Sequence, residues 1–288
     1  MARHCFDNNG GYIYWIWEQV IASYLISVNI SRVISLYWNT ILNQLCDKIK
    51  LETFLYNILN DAIMPKTVVL SLGGSLIVPN GVDIAFLKNF KKVIEKFIKK
   101  DYRFVIYCGG GKLARNMQDA ASKIANLSNK DLDWIGIYAT KLNAKLVRTI
   151  FKNNSEHFVV DDPNKKIIFK KSVLIAAGWL PGWSTDYDAV LLAKNLGIKE
   201  IINMSNVDYV YDKDPRIYKD AKKIEKMNWQ SFGKLVDGKW KAGMNAPFDP
   251  VAAKEAKKLG MKIYIIGKNI KNLGNILNGK KFRGTIIG

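Results

Sequence analysis

The residues able to do chemistry gather in a few short stretches. In residues 201–216, IINMSNVDYVYDKDPR, an apolar run opens with Ile201 and Ile202. It gives way to Ser205, Asn206, Asp208, Tyr209, Tyr211, Asp212 and the pair Asp214-Pro215. Short polar residues straight after a buried strand, closed by Asp-Pro, describe a loop at the carboxyl edge of an α/β sheet. That edge is where such sheets bind ligands. Tyr211, flat and able to hydrogen-bond, suits a nucleotide base, although an ordinary strand-to-loop exit has the same composition.

Two glycine turns offer a second kind of chemistry. Gly73-Gly74-Ser75 follows TVVLSL, and Gly109-Gly110-Gly111 follows Arg103 to Tyr107, with Lys112 and Arg115 close behind. Glycines let backbone N–H groups approach a phosphate without a side chain between them. The helix beginning near Leu113 adds the positive end of its dipole. Lys112 and Arg115 add full charges, and arginine alone can grip a phosphate bidentately. Neither turn is a Walker or GxGxxG sequence, and each alone could be a tight strand-to-helix turn. Two of them on parallel strands are harder to dismiss.

A third loop, residues 177–186, AGWLPGWSTD, also lies between a strand and a helix. Ser184 and Thr185 offer hydroxyls and Asp186 sits near the helix start, where any of the three could cap. Trp179 and Trp183 could equally be loop packing. In DLDWIG, Asp131 or Asp133 is a candidate cap for the adjoining helix.

The elements that must position these loops are regular from Thr67 onward. TVVLSL, Arg103–Tyr107, Val173–Ala177, Glu200–Met204, Lys262–Ile266 and Gly284–Ile287 read as strands. Ile84, Leu87, Phe90, Ile94 and Phe97 recur at helical spacing, and Leu113–Ile124, Leu132–Phe151 and Asp188–Leu196 also read as helices. Asp249-Pro250 caps another. Strands alternating with helices predict a mainly parallel sheet covered on both faces, a three-layer αβα sandwich.

Residues 1–63 do not share this pattern. Tyr12 to Trp38 is aromatic and β-branched, but Glu18 and Arg32 leave too short an apolar gap for a bilayer. The stretch lacks the basic start and cleavage site of a signal peptide. An interfacial helix, an extra packed layer and a start set too far upstream remain open, with Met64-Pro65-Lys66 reading naturally as a start. The expected division is an extension over 1–63 and a domain over 64–288.

Of 288 residues, 49% are hydrophobic and 24% charged, ordinary for a globular chain, but the formal net charge is +19. The segment before Met64 holds four basic residues against five acidic, so the remainder carries +20. Such a field favours phosphorylated ligands, and no nucleic-acid module accompanies it, so no nucleic-acid partner is expected. Cys5, Cys46 and Cys108 lack paired spacing, and His4 and His157 lie far apart. That excludes a disulfide framework, offers no zinc site and makes a reducing cytoplasm the default.

Taken in order, SLGGSLIVP, GGGKLARN, DWIGIYATKLNA, GWLPGWSTD, NVDYVYDKDP and DPVAAKEAKKLG resemble the UMP kinases of the amino-acid kinase superfamily, in their archaeal-type branch. The resemblance runs from about Thr67 to Ile287. It implies that Gly74, Ser75, Gly111 and Arg115 hold ATP phosphates, and that Ser205, Asn206, Tyr211 and Asp214 line the base and ribose site. It places UMP on Gly110, Asp133 and the loop Trp179, Leu180, Pro181, Gly182, Trp183, Ser184 and Thr185. Asp186 would organise the centre between the nucleotides, with Arg115 and Lys112 as catalytic cations and Mg2+ arriving with ATP. A UMP-binding part over 64–196, an ATP-binding part over 197–288 and a homo-hexamer are further implications.

Two departures bear on this. Many superfamily members carry a lysine two residues before the first glycine pair, where this chain has Ser71. Others carry histidines in the third loop, where it has Leu180 and Trp183. Rival expectations are a carboxylate or carbamate kinase of the same fold, a non-enzymatic nucleotide-binding regulator, and a nucleic-acid binder resting on the basic field.

Overall fold

The structure is a computed structural model and describes residues 41–48, 65–215, 217–237 and 247–288. The chain divides into two units, Met1–Met64 and Pro65–Gly288. In the first, residues 41–48 form a helix. The readings made for Tyr12 to Trp38, and for a start at Met64, lie outside the described residues.

The elements of the second unit run β1 (Thr67–Leu72), α1 (Gly74–Ile77), α2 (Ile84–Ile98), β2 (Arg103–Cys108), α3 (Gly111–Ile124), α4 (Asn129–Ile150), β3 (Ser155–Val160), β4 (Val173–Ala176) and α5 (Thr185–Asn195). Then come β5 (Glu200–Met204), β6 (Val210–Tyr211), β7 (Lys223–Ile224), β8 (Lys226–Met227), α6 (Trp229–Asp237), α7 (Pro250–Lys258), β9 (Lys262–Ile266), α8 (Ile270–Leu277) and β10 (Thr285–Ile287). Eight strands form one sheet in the order β3-β4-β2-β1-β5-β9-β10-β8, and β6 and β7 form a small antiparallel pair. Among the described residues of the large sheet, only the β9–β10 pairing is antiparallel.

The strand sequences explain the layering. β1, β2 and β4 are apolar almost throughout and buried on both faces, as parallel strands under two helical layers must be. Val68, Leu70 and Leu72 enter one core with Phe86, Phe90 and Phe97 of α2, Val147 of α4 and Leu273 of α8. Val69, between them in sequence, enters the other core with Leu192 of α5, Phe232 of α6 and Ala256 of α7. Phe90 and Phe104 keep no exposed surface. Full burial of each is worth ~1.5–3 kcal/mol. The three-layer sandwich expected from the sequence is the fold observed.

α4 starts three residues earlier than its apolar periodicity suggests, and for a local reason. The Ser128 hydroxyl accepts from the Asp131 amide, and the Asp131 carboxylate accepts from the Ser128 amide, a reciprocal capping box. The cap is therefore Ser128 with Asp131, and Asp133 is released for other work.

Candidate active site

Five parallel strands, β1, β2, β4, β5 and β9, end at one edge of the sheet, so the loops leaving them share one rim. Three of these exits are the loops singled out from sequence alongside the Ser205 loop.

The two glycine turns interlock. The Gly73 amide donates to the Met204 carbonyl at 2.8 Å, and the Gly109 amide donates to the Leu72 carbonyl at 2.9 Å. A Cβ placed on Gly74 would stand 2.3 Å from the Gly109 carbonyl oxygen and 2.4 Å from the Gly111 nitrogen. Gly111 itself has φ of 62°, and its own Cβ would lie 2.2 Å from the Gly74 carbonyl carbon. Only glycine serves at either place. Residue 110 is the N-cap of α3 and supplies no capping side chain. The first amides of α3 are thus left for a ligand, at a helix end suited to anions.

The charged groups gather beside this floor. Arg115 Nη2 donates to Ser75 Oγ at 3.1 Å, joining two residues expected to hold phosphate, and the guanidinium is exposed. Lys112 Nζ pairs with Asn80 Oδ1 in the loop between α1 and α2. Lys268, just past β9, reaches Asp83 at the end of that same loop at 2.7 Å. Asp83 is held below the usual carboxylate range by this lysine.

Asp186 occupies the first turn of α5 over the centre of the sheet. Ser71 of β1 and Asn203 of β5 are register partners on adjacent parallel strands. They point one hydroxyl and one amide at Asp186 Oδ1, at 3.0 and 3.2 Å. The backbone amide of Asp249, at the N-cap of α7, donates to Oδ2 at 3.2 Å. Asp186 keeps some contact with solvent but lies deep in the protein. Loss of hydration pushes its carboxyl up to about 6, against the pull of the Ser71 bond. Ser71 thus orients the aspartate, and as a neutral hydroxyl it cannot supply the charge that a lysine there would.

The third loop is tied at both ends. The Gly178 amide donates to Thr140 Oγ1 at 2.8 Å, and the Trp179 amide donates to Asp188 Oδ2 at 3.1 Å. At its tip the Gly182 amide donates to Asp133 Oδ2 at 2.7 Å, with Gly182 at φ of 88°. Ser184 caps α5 by accepting from the Tyr187 amide at 3.1 Å. Trp183 stacks on Tyr187 with centroids 4.4 Å apart and planes 16° from parallel. Leu180 and Trp183 are both exposed at the rim.

In the fourth loop Ser205 Oγ accepts from the Val207 amide at 3.2 Å, and Asn206 is exposed. Tyr209 is buried, whereas Tyr211 on β6 is half-buried with its ring edge-on to Tyr209. The Asp214 carbonyl accepts from the amides of Ile217 and Tyr218, closing the loop as a turn.

Asn143, 1% exposed, is a site residue that periodicity did not single out. Its Nδ2 donates to the carbonyls of Gly109 and Gly110, at 2.8 and 3.3 Å, and holds the second glycine turn from α4. A polar residue on a helix face otherwise filled by Ile137, Ala144 and Val147 was the available signal. Thr140, one turn earlier, was the other.

The Amino acid kinase family model matches residues 66–267. The uridylate kinase of Pyrococcus abyssi is 35% identical over 224 residues, covering 76% of this chain and 98% of that protein. The uridylate kinase of Archaeoglobus fulgidus is 34% identical over 222 residues, covering 76% and 99%. A crystal structure of uridylate kinase from Archaeoglobus fulgidus superposes with a TM-score of 0.67 at 32% identity, covering 77% of this chain and all of that one. The UMP kinase of Bacillus anthracis, with a TM-score of 0.61 and 19% identity, shares the fold. The interlocked glycine turns, the carboxylate over the sheet centre and these similarities agree, and the chain belongs to the amino acid kinase family, in the branch of the archaeal uridylate kinases.

Proposed function

We propose that the chain transfers the γ-phosphate of ATP to UMP, giving UDP and ADP. The observation that carries this reading is the pair of glycine turns in backbone contact beneath the uncapped end of α3, with Arg115 at its side. The acceptor oxygen of UMP is already anionic at neutral pH, so no general base is needed, and the site is poor in histidine. Catalysis is positioning plus neutralisation of charge on two phosphorylated ligands.

In this reading Gly74, Ser75, Gly111 and Arg115 hold the ATP phosphates, while Ser205, Asn206, Tyr211 and Asp214 receive base and ribose. Gly110, Asp133 and residues 179–185 hold UMP. Asp133 acts in part through the loop, because its carboxylate already accepts from the Gly182 amide. Lys112 is a supporting cation whose ammonium must leave Asn80 to touch phosphate. Residues 64–196 then carry the acceptor and the phosphate floor, and 197–288 the donor base.

Among the described residues no cluster of three His, Cys, Asp or Glu could cage a metal ion. Mg2+ would travel with ATP, since magnesium keeps waters and takes one or two carboxylates beside the phosphates. Asp186 is the carboxylate in place to meet it, directly or through water. When bound, the ion would neutralise phosphate charge.

We also propose a homo-oligomer, a hexamer by resemblance to the family. Tyr138 and Leu142, at adjacent turns of α4 and 66% and 62% exposed, support an apolar contact face. Sedimentation equilibrium of the purified protein tests it, and a monomer at micromolar concentration would reject it. Among the described residues no helix is long and apolar enough to cross a membrane. A cytoplasmic location accords with the cysteine usage.

A coupled ADP-release assay with UMP, CMP, aspartate, acetylglutamate and carbamate side by side tests the activity. Turnover with UMP and none with the carboxylates or carbamate is expected. Turnover with aspartate, acetylglutamate or carbamate, and none with UMP, would replace the reading by the carboxylate or carbamate kinase alternative. ADP release with none of them would leave the nucleotide-binding regulator.

A further inference from the structure

Three buried side-chain atoms have no hydrogen-bond partner among the described residues, Arg103 Nε, the Tyr107 hydroxyl and Asp188 Oδ1, and the last two sit on facing elements. Tyr107, at the end of β2, has no exposed surface, and its hydroxyl makes no hydrogen bond. Asp188, in the first turns of α5, also has no exposed surface. Its Oδ2 accepts from the Trp179 amide, and its Oδ1 accepts from nothing. α5 packs against β2, and Tyr107 shares a core with Ala189, the residue after Asp188.

A buried hydroxyl without an acceptor, and a buried carboxyl oxygen without a donor, are each costly, and native interiors leave few of either. A phenol can donate one hydrogen bond, and a carboxyl oxygen can accept two. The two needs are complementary. One buried water between them would meet both. The electrostatics agree. Burial pushes the Tyr107 hydroxyl well above its usual range, and the charge of Asp188 is the next cause, ahead of Asp161 and Asp162.

We propose that Tyr107 and Asp188 form a buried donor–acceptor pair, direct or through one water, that fixes the Asp188 carboxyl against the Trp179 amide and so positions the UMP-binding loop. This rests on the reading of residues 179–185 as the acceptor loop. Asp188 touches no substrate in this arrangement. It is a positioning residue acting through backbone, and Tyr107 is the residue that orients it. The Thr140 hydroxyl holds the neighbouring Gly178 amide at 2.8 Å, so the loop leaves β4 between two side-chain anchors. Removing one should loosen the acceptor side and leave the glycine floor intact.

The test uses the full chain and four variants: Tyr107→Phe, Asp188→Ala, Asp188→Asn and the double Tyr107→Phe/Asp188→Ala. Steady-state KM for UMP and for ATP, kcat and melting temperature are measured for each. Asp188→Ala is expected to raise KM for UMP about 10-fold, with KM for ATP within twofold of wild type. Tyr107→Phe is expected to raise it about 3- to 10-fold. The double variant should match Asp188→Ala in both KM for UMP and melting temperature, because the second cut removes a bond already lost.

Asp188→Asn should recover most of the affinity. Its amide oxygen can take the Trp179 N–H while its NH2 donates to the tyrosine oxygen. Additive losses of melting temperature in the double variant would show that the two groups do not interact, overturning the pair. An equal rise in KM for both nucleotides would overturn the positioning role. Non-additive melting temperatures with KM for UMP unmoved in every variant would leave the pair standing. That outcome would instead remove residues 179–185 from the acceptor site, and the positioning role would fall with them.

Discussion

Asp186→Asn separates the cost of burying this carboxyl from its use. The group titrates near 3.8 when unfolded and at about 6 in the fold, chiefly because burial disfavours its charge. Over that interval the native state binds more protons than the unfolded chain. The stability that comes from a neutral Asp186 is therefore complete below the unfolded value and is lost as pH rises through the folded one. With these two values the linkage relation gives a loss of about 2 kcal/mol between pH 4.5 and pH 8.

Asparagine cannot ionise and escapes the loss. Its oxygen can still accept from Ser71 and Asn203, but its NH2 then faces the Asp249 amide, a penalty of about 1–3 kcal/mol at every pH. The informative quantity is thus the pH slope of the difference between variant and wild type. Urea unfolding of the ligand-free proteins at pH 4.5 and pH 8 should show that difference moving by about 2 kcal/mol in the variant's favour. For a unit of this size that is ~4–8 °C in Tm.

Asp188, pushed up to about 7 by burial, titrates in both proteins. Losing the Asp186 charge eases its ionisation, which adds to the variant's gain at pH 8. Meanwhile kcat should fall steeply, because in the proposed reading Asp186 is the carboxylate between the two nucleotides. A difference in stability that stays constant with pH would refute the claim that burial holds the carboxyl up.

Gly74→Ala should lower kcat/KM for ATP by about 10- to 100-fold, because a Cβ meeting backbone on three sides forces a shift costing ~1–3 kcal/mol; unchanged kinetics would disprove the close contact of the turns. Arg115→Ala should lower kcat/KM for ATP by about one to three orders of magnitude, with Arg115→Lys recovering part of it. Full activity in Arg115→Ala would move the phosphate clamp elsewhere. Asp133→Ala should raise KM for UMP ~10- to 100-fold and leave KM for ATP nearly unchanged; a large fall in Tm without a change in KM would make Asp133 a loop anchor alone. Protein beginning at Met64 should fold and keep its activity, and insolubility beside an active full-length chain would make the extension part of the fold.

The strands of the sheet centre were legible because burial on both faces leaves a continuous apolar run ending at a glycine turn, as in TVVLSL-GG. The β3 strand, SEHFVV, was not. It lies at the sheet edge, its pairing with β4 shifts register between Ser155 and Val159, and its outer residues are polar or exposed. The two-residue strands β6, β7 and β8 are too short to carry a period, and α6 and α8 come after polar turns that mask their apolar faces. Within the site, residue types announced the glycine turns and the charge at Arg115, whereas Asp186 read only as a candidate cap and its central place came from the family resemblance. The supports were invisible for a different reason. Asn143, Thr140 and Asp188 act through backbone groups 34, 38 and 9 positions away in sequence. Only the completed packing of α4 and α5 brings them there.

The contact between Gly74 and the second glycine turn has a consequence for assembly as well as for the proposed phosphate site. β1 and β2 pair in parallel from Thr67 with Arg103 to Leu72 with Cys108, and a long helical crossover must be closed before they meet. Sliding one strand by a residue would exchange every inward and outward side chain. Near its carboxyl end it would also bring Cys108 or Lys112 toward the space that only a glycine can fill. A chain that mispairs there cannot close the junction and must open again. The floor proposed to receive a nucleotide would first serve as a gauge, admitting a single alignment of the two strands on which the rest of the sheet is laid.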